Sequence, residues 1–243
     1  MIHFNNIRYY TGSFNQFTDY IFQLLENNPF KKIIITHINL RNYFFLNKDL
    51  KLKEEINKDC TVVFDGIGLK IGFWLKGFGL LPDLNGTDLF PLIMEKISDS
   101  GLGVFLLGSY DNNISKAASN IKKSYPKINI QGYHHGYFSK AEEMDIVDTI
   151  NQSKSEVLLI GMGFPMQEQF VLKYKDKLNL LLVWNIGGLF DIISEQKPRS
   201  PLILRKLRLE WLFRFLLEPR RMLHRNTVCA FWSLFHIILQ KKY

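Results

Sequence analysis

The sequence predicts an α/β fold: a Rossmann-like, largely parallel sheet flanked by helices, followed by a helical C-terminal appendage. Three observations carry this reading. Short apolar runs rich in β-branched residues recur as far as residue 184, and stretches of helical periodicity separate them. Beyond residue 197 the pattern changes to Arg-interrupted helices dense in Leu, Phe and Trp.

Taken in order, the apolar runs are 32–36 (KIIIT), 60–64 (CTVVF), 103–107 (GVFLL), 128–131 (INIQ), 156–160 (EVLLI) and 178–184 (LNLLLVW). Each reads as a strand buried on both faces. Helices are predicted over 87–98, 112–124, 140–152 and 166–175, with Thr87, Asp111, Ser139 and Pro165 as start signals. Alternating strands and helices give a parallel sheet, whose ligands bind at the carboxyl ends of the strands. The residues just after the strands are Thr36-His37-Ile38-Asn39, Asp65-Gly66-Ile67-Gly68, Gly108-Ser109, Gly161-Met162-Gly163 and Asn185-Ile186-Gly187-Gly188. No Pro- or Gly-rich linker divides residues 1–196, so we expect one catalytic domain there and an appendage over 197–243. The appendage reads as a helix over 202–217 carrying Trp211, Phe213 and Phe215 beside Arg205, Arg208 and Arg214. A break at Glu218-Pro219, a basic collar of Arg220, Arg221 and Arg225, and an apolar tip over 228–239 follow.

Composition narrows the function classes. With 243 residues, 47% hydrophobic and 14% aromatic, the chain buries a sizeable core, and 16 Gly with 8 Pro exclude collagen-like and low-complexity classes. The two cysteines, Cys60 and Cys229, build neither a disulfide framework nor a zinc knuckle, which fits a reducing compartment. The net charge of +8 is uneven: residues 197–243 hold eleven Lys/Arg against two Asp/Glu, leaving 20 against 21 for residues 1–196. A near-neutral body with a basic tail is expected to meet something anionic. Residues 1–20 lack the charged start and apolar run of an export signal, and the longest apolar stretch, 227–239, falls short of the roughly 20 residues that span a bilayer. The expected compartment is therefore cytoplasmic, with a tail that could lie on a membrane without crossing it. The apolar tip needs cover from the body, a partner subunit or lipid, so self-association is one expected arrangement.

Asp65 is the foremost chemical candidate. It ends an apolar strand and faces a Gly-Ile-Gly turn, where a partly desolvated carboxylate suits general-base work; capping of the following turn accounts for it equally well. Gly161-Met-Gly163 resembles half of a dinucleotide fingerprint, but the third glycine would fall at Met166. Phe164-Pro165-Met166-Gln167-Glu168 starts a helix with free N–H groups and the Gln167 amide at a pocket; the plainer reading leaves Gln167 and Glu168 on an exposed face. Gly187 and Gly188 permit close ligand approach or a tight turn. The six histidines, His134-His135 among them, have no ligand spacing, and no metal or cofactor is expected.

Seven motifs in order resemble the WecG/TagA/CpsF glycosyltransferases: Asp65-Gly66-Ile67-Gly68, Asn85-Gly86-Thr87-Asp88-Leu89, 132–138 (GYHHGYF), 161–168 (GMGFPMQE), Gly187-Gly188-Leu189-Phe190-Asp191, Arg199-Ser200-Pro201, and 209–214 (LEWLFR) running on to 218–221 (EPRR). They extend across roughly residues 30 to 225. The resemblance implies inverting, metal-independent transfer of a sugar, typically N-acetylmannosamine, from a UDP-sugar to a polyprenyl-diphosphate-linked saccharide in bacterial cell-surface polysaccharide or teichoic acid synthesis. It makes Asp65 the base and places Thr36 near the reacting groups. Asn39, Gly66, Asp88, Gly108, Gly163, Gln167, Gly187, Gly188 and Asp191 become pocket residues, and Arg214, Arg221 and Arg225 meet the diphosphate from a membrane-docking appendage. Partners on this reading are the donor, the lipid-linked acceptor and an anionic membrane surface, with no nucleic acid. The same resemblance implies a peripheral position on the inner face of the membrane. Three positions depart from the pattern: His37 stands in place of the usual proline, Met166 of the usual lysine and Asp83 of the common arginine. The competing readings are a Rossmann-type nucleotide-cofactor oxidoreductase, which the missing third glycine disfavours, and a non-enzymatic module whose basic tail grips nucleic acid or membrane.

Overall fold

The computed structural model describes residues 1–28, 30–198, 200–201, 203–204, 210–217, 219 and 228–240. Strands β1 (Ile2–Phe4), β2 (Ile7–Tyr9), β3 (Ile33–Ile38), β4 (Cys60–Phe64), β5 (Gly103–Gly108), β6 (Asn129–His134), β7 (Val157–Gly161) and β8 (Leu182–Asn185) form one sheet in the order β1-β2-β4-β3-β8-β7-β5-β6. All pairings are parallel except the β1–β2 hairpin, which turns through Asn5 and Asn6, both at positive φ. Asparagine tolerates that left-handed conformation better than most residues, so the two-residue turn is locally encoded.

The inner strands β3, β5, β7 and β8 are buried along their whole length, as their β-branched and leucine-rich runs require. The run at 128–131 behaves differently from expectation. It becomes β6, at the sheet edge, with alternating exposure, because Asn129, Gln131 and Tyr133 face solvent while one side packs on the sheet. The run at 178–184 contributes a strand only from Leu182; Leu178 and Leu180 are buried ahead of it in a loop whose Asn179 N–H donates to Asn151 Oδ1.

Two helical layers cover the sheet. On one face, α1 (Phe14–Asn27), α5 (Gly86–Ser100), α6 (Asp111–Ser124) and α9 (Leu189–Ile193) enclose a core around Trp184, Phe17, Phe90 and Leu106. On the other, α2 (Leu40–Leu46), α3 (Leu50–Asp59), α4 (Ile67–Leu75), α7 (Glu143–Gln152) and α8 (Met166–Tyr174) enclose Phe64, Phe73, Ile160 and Phe170. Neighbouring strand residues therefore serve opposite cores: Ile34 and Val62 one, Ile35 and Val63 the other. Helices α5 to α8 match the predicted stretches. Three start signals move slightly, Asn85 rather than Thr87 capping α5 and Tyr110 and Glu142 standing at the cap positions of α6 and α7, while Pro165 is the cap of α8 as expected.

The appendage supplies α10 (Glu210–Leu217) and α11 (Val228–Leu239). The basic collar at Arg220, Arg221 and Arg225, and Arg199, Arg205 and Arg208, lie outside the described residues. The tip is covered by the body along one stripe, since Cys229, Ser233 and Ile237 recur every four residues and are buried while Phe231 and Phe235 are exposed. Ser233 Oγ donates to the Leu40 carbonyl at 2.8 Å, His236 Nδ1 meets Tyr43 Oη at 3.0 Å, and Trp232 packs edge-on against Phe44. Gly72 of α4 leaves room for Ile237: a Cβ there would stand 3.0 Å from Ile237 Cδ1. Among the described residues no helix is long and apolar enough to cross a membrane.

Candidate active site

A cavity of about 830 Å³ opens over the carboxyl ends of β4, β3, β8 and β7, where the strand order reverses. Its walls come from the segments after those strands, with Asp83 to Asp88 entering from the α5 side and Trp211 and Ala230 from the appendage. Of the sequence-predicted residues, it gathers Asn39, Asp65, Gly66, Asp88, Gly163, Gln167, Gly187 and Gly188.

Asp65 sits at the end of β4, its N–H donating to the Ile38 carbonyl of β3 at 3.0 Å. Asn39 holds both neighbours at once. Its Oδ1 accepts from Asn42 N–H at 3.1 Å to cap α2, and its Nδ2 reaches Asp65 Oδ2 at 3.4 Å. The next residue, Gly66, has φ +91° and nothing within 4 Å of where a Cβ would stand, so the backbone turns into open space beside the carboxylate. Asp83 fixes this turn: its Oδ1 accepts from Gly66 N–H at 2.8 Å, and Asp83 itself is buried. An aspartate at this position thus has a structural task, holding the loop that carries Asp65.

Thr36 and Gln167 act together one layer deeper. Thr36 is fully buried and off the cavity wall; its Oγ1 donates to Glu168 Oε1 at 2.7 Å. The same oxygen accepts from Gln167 Nε2 at 2.9 Å, and Gln167 Oε1 accepts from Gly163 N–H and Gly187 N–H, each at 3.1 Å. This clasp ties β3 to the two glycine loops that edge the cavity. The plainer expectation of an exposed Gln167 and Glu168 is corrected, since both are buried, Glu168 to 1% exposure. Burial pushes the Glu168 carboxyl above its ordinary range, against the donated hydrogen bonds of Gln167 and Thr36.

Gly108 and Asp191 lie beside the cavity instead of on its wall. Gly108, at φ +145°, approaches β7 so closely that a Cβ would stand 2.4 Å from the Gly161 carbonyl oxygen. Asp191 Oδ1 accepts from Ser109 Oγ at 2.6 Å, and Oδ2 pairs with Lys197 Nζ at 3.2 Å. Next to them Tyr110 and Tyr137 stack at 4.3 Å, both well exposed. Arg214 lies on α10 with its side chain outside the described residues, as Arg221 and Arg225 are entirely.

Of four further wall residues, Arg41 escaped sequence reasoning, while Asn185, His37 and Asn85 were named there without a role of their own. Arg41 follows Asn39 in α2, and the cation stacks over Phe45, 4.9 Å from the ring centroid. Asn185, at the end of β8, is 1% exposed with neither amide atom partnered. His37 accepts from Trp184 Nε1–H through Nε2 at 2.8 Å, and burial lowers its proton affinity, offset partly by Asp65. It is therefore a neutral floor residue. Asn85 Nδ2 donates to Asp88 Oδ2 at 3.1 Å, which orients that carboxylate at the rim. Spacing signals would flag only Arg41, three residues before the helix's buried Phe44. Among the described residues no group of three or more His, Cys, Asp or Glu is placed to hold a metal ion.

The family model described as "Glycosyl transferase WecG/TagA/CpsF family" matches residues 2–243. The chain belongs to this family. The segments 65–68, 85–89, 161–168 and 187–191, which carry the resemblance, each contribute residues to the cavity wall. An N-acetylglucosaminyldiphosphoundecaprenol N-acetyl-beta-D-mannosaminyltransferase of Bacillus spizizenii is 32% identical over 157 residues, 65% of this chain and 60% of its own length. An enzyme of the same name from Staphylococcus aureus is 30% identical over 179 residues, 73% of this chain and 69% of its own. The matched region spans less than two thirds of the Bacillus relative.

Proposed function

We propose that this member of the family transfers a sugar, N-acetylmannosamine or a related hexosamine, from a UDP-sugar to a polyprenyl-diphosphate-linked saccharide during cell-surface polymer synthesis. The observation that carries the reading is Asp65 at the wall of an 830 Å³ cavity, its oxygen held by Asn39 and its loop by Asp83. That volume lies within the range of small-molecule sites. The names of the Bacillus and Staphylococcus relatives supply the sugar and the acceptor.

In this mechanism Asp65 takes the proton of the acceptor hydroxyl. The hydroxyl oxygen forms the new bond to the anomeric carbon, and the anomeric carbon–oxygen bond to the diphosphate breaks, its electron pair leaving with UDP. A single displacement of this kind inverts the anomeric configuration. Leaving-group charge is met by arginines, Arg214, Arg221 and Arg225 of the appendage, in place of a metal ion. The glycine loops at Gly163 and Gly187 give the backbone approach that a diphosphate needs, and the exposed Tyr110–Tyr137 stack offers an aromatic face that a nucleoside base could use.

The two-part organisation, a body over 1–196 and an appendage from 197, serves the same reading. Trp74, Leu75 and Leu80 of the body and Phe231, Phe235 and Leu239 of the appendage are all more than half exposed. Together with the basic excess after residue 197, this surface favours peripheral binding to an anionic leaflet, about 1 kcal/mol for each nearby basic residue. The test is product analysis: incubating the full chain with UDP-N-acetylmannosamine and a short-chain polyprenyl-diphosphate GlcNAc should yield a lipid-linked disaccharide and UDP. Absence of product with every UDP-hexosamine tried would contradict the reading.

A further inference from the structure

We propose that Arg41 is the diphosphate-binding cation of the body, a role that rests on the transfer reaction above. Among the described residues lining the cavity, Arg41 is the one Arg or Lys, whereas Asp65, Asp83 and Asp88 bring three carboxylates. A substrate carrying a diphosphate cannot place it against those carboxylates without repulsion that a partly desolvated cavity leaves unscreened. The cationic wall is where that charge is stabilised.

Geometry supports the assignment. Arg41 belongs to the same short segment as Asn39, which touches Asp65, so cation and base are set by one turn of chain. The guanidinium rests over the Phe45 ring, and Nη1 lies 3.4 Å from the Phe164 carbonyl, beside Gly163. The contact with Phe45 restrains the side chain, and a planar guanidinium fork matches two phosphate oxygens better than a lysine ammonium does. Asp83, whose Oδ1 accepts from Gly66 N–H, adds negative charge to the lining and no cation.

The diphosphate has two possible sources, the donor and the lipid-linked acceptor, and calorimetric titration separates them. Wild type, Arg41→Gln and Arg41→Lys are titrated with UDP, with uridine and with short-chain polyprenyl-diphosphate GlcNAc. If Arg41 serves the donor, Arg41→Gln weakens UDP about 10- to 100-fold with uridine unchanged, and Arg41→Lys recovers part of the loss. If it serves the acceptor, the same loss is seen with the lipid-linked sugar while UDP is unaffected. Unchanged affinity for both diphosphates in a variant of a wild type that binds them overturns the assignment. So does equal loss of uridine and UDP, which would make Arg41 a structural support. A wild type that binds none of the three ligands overturns the transfer reaction itself.

Discussion

Glu168 shows how much one buried side chain decides. Its carboxyl collects the Thr36 hydroxyl and the Gln167 amide, and through Gln167 it sets the spacing of two glycine loops. Removing it by Glu168→Ala would strand two donors, each at about 1–3 kcal/mol. Its ionisation also shapes stability. The unfolded chain releases this proton near the ordinary value of 4.5, whereas the folded protein holds it to higher pH. Between those two values the native state binds more protons, so stability falls as pH rises through the window. Glu168→Gln keeps an acceptor for Thr36 and Gln167 and removes the titration, so its thermal stability should vary less with pH from 4.5 upward than that of wild type, as scanning calorimetry would show. Equal pH dependence would mean that Glu168 is ionised in the folded state. At this scale the sequence was partly legible. Asp65, Asn39 and the paired glycines stand at strand ends, where position alone flags them. Thr36 lies 132 residues from Glu168, the neighbour of Gln167, and the bonding across the clasp is a product of sheet order, which local pattern does not carry.

At the scale of elements, strands with β-branched interiors and helices with sharp starts were readable, because each signal is local. The hairpin over residues 2–9 and helices α1 to α4 were not named from sequence. Three-residue strands have no period to detect, and α4 (IGLKIGFWL) is apolar except for Lys70 and has two glycines inside it. Helix α4 exists because α11 and the sheet cover it, with Gly72 admitting Ile237. The docking of α11 has its own pH response. Burial and the charge of Lys53 lower the proton affinity of His236 below the ordinary 6.5. A released helix takes up that proton near 6.5 while the docked one resists it, so docking is fully favoured above that value and weakens as pH falls below it. The protection factors of residues 228–239, exchange rates referred to the intrinsic rate at each pH, should therefore fall on acidification from pH 7 to 5.5, and His236→Gln should blunt the change. Protection that is independent of pH would show that the Tyr43–His236 contact does not hold the helix.

For the whole molecule, charge and apolar surface point the same way. The body is nearly neutral, the basic excess lies after residue 197, and the exposed side chains of α4 and α11 flank the appendage wall of the cavity. A lipid-linked acceptor could then reach the cavity from the bilayer side without leaving it. Replacing Trp74, Phe231 and Phe235 together by Ser should abolish co-flotation with phosphatidylglycerol vesicles while leaving UDP affinity within about twofold. Flotation unchanged in that variant would assign membrane contact to the basic residues alone. The fold class, the family and a cavity at the strand ends were all legible in the sequence, because parallel α/β sheets open their clefts there by rule. The partial cover of the tip by the body was not, since an apolar helix carries no label for what will cover it.

The central claim is that Asp65 deprotonates an acceptor in this cavity, and acceptor-dependent UDP release measures it most directly. Wild type and Asp65→Asn are compared with UDP-N-acetylmannosamine and short-chain polyprenyl-diphosphate GlcNAc, with UDP binding measured on the same samples. With Asp65 as the base, wild type releases UDP, the variant falls by at least about 100-fold, in line with the usual contribution of a general base, and UDP affinity is preserved. Release at the wild-type rate from Asp65→Asn would contradict that role, and would leave Asp65 as the cap of its own turn.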